Sequence, residues 1–117
     1  MIAFDISVNG ERVCTAGVDS HFGILTAIVS WVMRDVGRMP ADIRSEIAGE
    51  EFKIAVSGQK SVGADEFENY QWRGCDLKPG DEIHIAIVDV DRVDAPQTVK
   101  KIRPKYVQKN DSDRTLH

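Results

Sequence analysis

The chain reads as an α+β domain: a mixed sheet in the order strand, strand, helix, strand, strand, strand, with one long helix packed on one face. Three observations predict it. Residues 2–8 alternate apolar and polar and run into Asn9-Gly10; residues 20–36 repeat apolar side chains at spacings of three and four; residues 51–57 and 83–90 alternate again. The 117 residues suit a single domain, placed at 1–96, followed by a basic C-terminal tail at 97–117 that is expected to be flexible.

The first strand carries Ile2, Phe4, Ile6 and Val8 on one side. Asn9 and Gly10 both tolerate positive φ, which a two-residue type I′ turn demands, so a second strand is expected at 11–17. With that loop, opposed residue numbers sum to 19, which sets Ile6 against Val13 and Phe4 against Thr15 on the core side. Asp19 or Ser20 would cap the helix and Gly37 would terminate it. Phe22, Leu25, Ile28, Val29, Val32 and Val36 make its buried stripe.

On a helical wheel Ile24, Ala27 and Trp31 form a second apolar sector nearly opposite the first. One sheet shelters one face, so this sector needs a cover. Either residues 38–50 fold back through Ile43 and Ile47, or a partner supplies it, because contiguous exposed apolar surface marks contact sites. Phe52, Ile54 and Val56 define the next strand, and a short strand follows near 68–72. Lys78-Pro79-Gly80-Asp81 forms a turn. Ile83, Ile85 and Ile87 then share a face, until the apolar phase slips at Val88, which predicts a bulge or burial on both faces.

The phrases ISVNGE (6–11), IAVSGQ (54–59) and LKPGDEIHIAIV (77–88), in this order of elements, resemble the β-grasp (ubiquitin-like) fold, in particular the sulfur-carrier proteins of thiamine and molybdopterin synthesis. The chain also resembles a group of small uncharacterised bacterial proteins through SVNGERVCTAGV (7–18), GILTAIVSWV (23–32) and the Gly-Asp-Glu-Ile strand start. The resemblance implies a bacterial β-grasp domain. It does not imply carrier chemistry, which needs a terminal Gly-Gly; this chain ends DRTLH and contains no Gly-Gly.

Charge argues against general nucleic-acid binding. Residues 97–117 hold six Lys/Arg against two Asp, while 1–96 hold nine basic against seventeen acidic residues, a net −8. Lys100, Lys101, Arg103 and Lys105 are the candidate phosphate contacts of an alternative, RNA-associated reading. No apolar run approaches the roughly 20 residues of a membrane span. The opening MIAFDISVNG lacks a basic n-region and reads as a strand, so a cytoplasmic protein is expected. Cys14 and Cys75 fit reduced thiols and have no zinc spacing with His21, His84 or His117.

Asp89, Asp91 and Asp94 lack the glycine and distal glutamate of a calcium loop. No glycine-rich phosphate loop is present. A small enzyme using Cys75 or His84 is the least supported reading: Cys75, beside Arg73 and Asp76, has one flanking cation, which is weak support for a reactive thiol, and His84 sits on the less apolar face of its strand. The sequence therefore predicts no catalytic residue, cofactor or metal. It predicts a non-enzymatic protein-interaction module that self-associates as a homo-oligomer or docks to a protein partner through Ile24, Ala27 and Trp31.

Overall fold

The computed structural model describes residues 1–44 and 49–102, and among these the architecture is all-β. Eight strands occur: β1 (Ile2–Val8), β2 (Glu11–Gly17), β3 (Gly23–Met33), β4 (Glu50–Ser61), β5 (Phe67–Gln71), β6 (Cys75–Leu77), β7 (Ile83–Asp89) and β8 (Thr98–Ile102). They form two antiparallel sheets, one ordered β2-β1-β7 and the other β3-β4-β5-β8, with β6 also paired to β4. The only helical pieces among the described residues are a single 3₁₀ turn at Val36–Arg38 and the four-residue α1 (Ala41–Arg44).

This overturns the α+β expectation and, with it, the β-grasp, ubiquitin-like assignment. The segment expected to be the long helix is β3, paired with β4 along its whole length from Gly23↔Lys60 to Met33↔Glu50 without a bulge. The physical reason lies in its residue types. Ile24, Thr26, Ile28, Val29 and Val32 are β-branched, stiff at χ1 and costly in a helix, yet favoured on a pleated surface. A run apolar on both of its strand faces also satisfies three- and four-residue spacings, so periodicity alone could not separate the two states. Ser20, one of the two expected helix caps, instead both donates to and accepts from the backbone of Phe22.

The first hairpin turns at Asn9 (φ 53°) and Gly10 (φ 83°), as a two-residue loop requires. Its register is not uniform. Ser7 faces Arg12, but Ile6 faces Cys14 and Phe4 faces Ala16, because a bulge intervenes at Val13. The bulge turns Cys14 and Ala16 inward where Val13 and Thr15 were expected. By contrast, β7 pairs with β1 in one continuous register from Ile2↔Asp89 to Val8↔Ile83, so no bulge marks Val88.

The core is small. Ile6, Cys14, Ala16, Ile54, Val56 and Trp72 are buried together where β1 and β2 meet the middle of β4. The radius of gyration is 18.6 Å, against about 13 Å for a compact chain of this length. Much of both sheets therefore extends beyond the shared core.

Trp72 closes that core. Its amide donates to the carbonyl of Val56 at 3.0 Å and its indole Nε1 to the carbonyl of Asp94 at 2.7 Å. Gly58 makes room for it: a Cβ there would lie 3.1 Å from the indole and 2.7 Å from Val18. Asp94 is itself tied to the first hairpin. Its carboxylate accepts from the Arg12 guanidinium at 2.7 Å and from the Thr15 amide at 2.9 Å.

Those two donors hold the Asp94 carboxyl below the usual carboxylate range, the Arg12 hydrogen bond contributing most. A carboxyl depressed in the folded state stabilises the fold above its unfolded value, about 3.9, and that contribution disappears as pH falls through the folded value. Asp81, bonded by Asn9 and Lys78, and Glu51, bonded by Arg34, act in the same direction. The thermal midpoint should therefore fall on acidification below about pH 4. Asp94→Asn should lower it slightly at pH 7 and make the acid limb shallower; an unchanged limb, followed by calorimetry, would contradict the Asp94 latch.

Candidate interaction surface

β3 lies at the edge of its sheet, and only β4 pairs with it among the described residues. Which of its backbone groups face outward follows from the bonds flanking the ladder. The Arg34 amide donates to the carbonyl of Gly49, and the Ser61 amide to the carbonyl of Phe22. Register is unbroken between them, so the even-numbered residues of β3 bond β4. The odd-numbered residues Leu25, Ala27, Val29, Trp31 and Met33 direct N–H and C=O away from the sheet.

The side chains sort by the same parity. Ile24, Thr26, Ile28, Ser30 and Val32 occupy one face, and Leu25, Ala27, Val29, Trp31 and Met33 the other. The predicted contact residues are thus not one sector: Ile24 stands on the face opposite Ala27 and Trp31. The cause is the change of period from 3.6 to 2. Ala27 is half-buried and, with Leu25, packs against the core. Ile24 is 59% exposed and Trp31 61%. The expected cover does not fall on the described residues, since the side chain of Ile43 and the whole of Ile47 lie outside them.

Further apolar side chains join these two. Ile28 and Val29 are each 55% exposed, and Phe22 and Met33 are also exposed. Helical spacing places Ile28, Val29 and Phe22 in the buried stripe, whereas the strand exposes them. The signal that could have found them was in the sequence: GILTAIVSWVM has no charged residue and no proline across the whole strand. Trp31 is held open as a flat surface. Its ring stacks on Phe52, with centroids 6.4 Å apart and planes 15° from parallel, and Nε1 donates to Glu50 at 3.0 Å. Beyond it, Arg34 pairs with Glu51 at 2.7 Å.

The other edges differ in kind. β2 carries Glu11 and Arg12, β6 carries Asp76, β7 carries Asp89, and β8 carries Lys100 and Lys101. Charged edge residues oppose strand addition. Lys100 and Lys101 are exposed but adjacent on a strand, so they point to opposite faces, and Lys101 stands across from Glu68. Arg103 and Lys105 lie outside the described residues. A second exposed apolar group, Ile2, Ile85 and Ile87, lies on the β1–β7 pair.

The remaining polar candidates are engaged locally. Cys14 is buried, and burial pushes its thiol pKa up. It and Cys75 are unbridged. His84 is exposed on β7 opposite Ser7. Asp89 accepts from the amino group of Met1 at 2.9 Å and Asp94 from Arg12, so two carboxylates of the acidic run are used within the fold. Among the described residues no cluster of His, Cys, Asp and Glu could hold a metal ion, and no helix is long and apolar enough to cross a membrane. Comparison with protein-family models, with curated proteins and with solved structures gives no match, so neither the sulfur-carrier nor the bacterial-group resemblance gains support.

Proposed function

We propose that the protein is a non-enzymatic, cytoplasmic protein-interaction module whose docking element is the edge strand β3. The observation that carries this reading is an uncharged, bulge-free edge of eleven residues, apolar side chains exposed on both its faces and a row of outward backbone donors and acceptors. Isolated apolar surface residues need no explanation, but a contiguous group on an open strand edge is the site at which another strand adds. Main-chain hydrogen bonds would supply affinity, and the alternating side chains Ile24, Ile28, Val29 and Trp31 would supply specificity.

Photo-crosslinking tests this directly. Benzoylphenylalanine in place of Ile24 or Val29, irradiated in the native host, should give protein adducts, whereas the same group in place of Glu11 on β2 should give none. Absence of adducts from both β3 positions would overturn the reading.

A further inference from the structure

The polarity of β3 is palindromic about Ile28. On one face the order is Ile24, Thr26, Ile28, Ser30, Val32: apolar, hydroxyl, apolar, hydroxyl, apolar. On the other, Leu25 and Trp31 flank Ala27 and Val29. An antiparallel partner reads the strand in reverse, so a polarity palindrome matches its own copy at every position. From this we propose that the occupant of the edge is a second copy of the chain, with β3 pairing antiparallel to β3 across a two-fold axis at Ile28. The inference rests on the reading of β3 as the docking element and names its partner.

The register follows from the backbone. Outward-facing groups belong to odd-numbered residues, so hydrogen-bonded pairs across the axis must join odd to odd. Ala27 then meets Val29 of the second copy, and Leu25 meets Trp31. On the opposite face Thr26 meets Ser30, Ile24 meets Val32, and Ile28 meets itself. The Thr26 hydroxyl, which also bonds Ser57 of its own chain at 2.9 Å, stands opposite the hydroxyl of Ser30, and cross-strand pairs of that kind are mutually stabilising. The strand itself brings no charge into the contact. The exposed ring of Trp31 comes beside Leu25 of the second copy, a residue that packs on that copy's own core. The contact is isologous and closes, so it ends at two chains and does not propagate into a fibre. The outer edges of the resulting joint sheet would be β8, whose Lys100 and Lys101 discourage further addition, and the three-residue β6, which is short and carries Asp76.

Pairing at this register makes residue 28 a non-hydrogen-bonded pair, whose Cα atoms stand about 4.5 Å apart. That distance lies within the span a disulfide bridges. In a Cys75→Ser background, Ile28→Cys should therefore form a covalent dimer on mild oxidation, while Thr26→Cys, displaced from its own copy, should not. Light scattering should give twice the mass of one chain for the wild type. Ile28→Lys, which places two ammonium groups across the axis, should give one chain's mass with an unchanged far-ultraviolet spectrum and thermal transition.

Val29→Pro removes an outward-facing N–H and no hydrogen bond to β4, and should also dissociate the dimer. A wild-type chain that stays monomeric at several hundred micromolar would overturn self-pairing, and so would a dimer unaffected by both substitutions. Linkage through Thr26→Cys in preference to Ile28→Cys would overturn the register. These failures are distinguishable from failure of the docking reading, because photo-adducts from positions 24 and 29 to a different protein would persist.

Discussion

Trp72→Ala is expected to destabilise the fold by about 3–5 kcal/mol, the range for removing a buried aromatic ring. Small domains hold only about 5–15 kcal/mol in total, so the variant should be largely unfolded at 37 °C. Trp72 fills the space beside Gly58 and Val56 and touches Tyr70, with ring centroids 5.9 Å apart. Its loss opens a cavity in a core of six clustered residues that has little else to collapse into it. Trp72→Phe separates the two contributions. It keeps most of the ring but leaves the carbonyl of Asp94 without its indole donor, a penalty of about 1–3 kcal/mol. Chemical denaturation should rank the wild type above Phe and Phe above Ala. A Phe variant equal to the wild type would show that the indole hydrogen bond contributes nothing.

Gly74→Ala should be comparably damaging for the opposite reason. A Cβ at this position runs into the carbonyl oxygen of Ile54, with the Cα of Ala55 3.5 Å away. The obstacle is backbone, and it has no room to retreat, because Ile54 is paired to Val29 on one side and to Cys75 on the other. Overpacking of this kind costs about 1–3 kcal/mol and more where the neighbour is fixed. The relief available is detachment of β6, so Cys75 should become reactive to thiol reagents well before Cys14. Equal labelling rates for the two cysteines would indicate global unfolding and contradict local release of β6.

The parts of this fold that were legible in the sequence are those where local chemistry leaves one solution. Asn9-Gly10 dictates the first hairpin because few other residues accept the φ values found there. Pro79-Gly80 dictates the later turn, where Gly80 has φ 96° and Asp81 accepts from the Lys78 amide. Alternation marked β1, β4 and β7. The bulge at Val13 was not legible, since its cause is the burial of Cys14 and Ala16 against β4, a tertiary effect.

The larger difference between sequence and structure, at 20–36, has the same origin. Neutral, apolar, β-branched sequence is compatible with a buried helix or with a long strand, and the choice is made by β4, whose register lies some thirty residues away. Strands β6 and β8 are short and polar and exist because β4 and β5 offer free edges. The candidate surface was half-visible. Surplus apolar surface at Ile24 and Trp31 was apparent, but a wheel drawn at 3.6 residues per turn joined them with Ala27 and placed Ile28 and Val29 inside.

The order of pairing along the chain constrains how it can be made. β3, β4, β5 and β6 are contiguous in sequence, whereas β1 must wait for β7, and the Arg12–Thr15 corner for Asp94. At ribosomal rates of about 5–20 residues per second, that corner stays open for roughly 4–15 s after β2 has emerged. The ribbon of the uncharged β3 and its partner β4 is complete before then. Under the proposed self-pairing, nascent chains on neighbouring ribosomes would present β3 to each other while their first sheet is still unfinished.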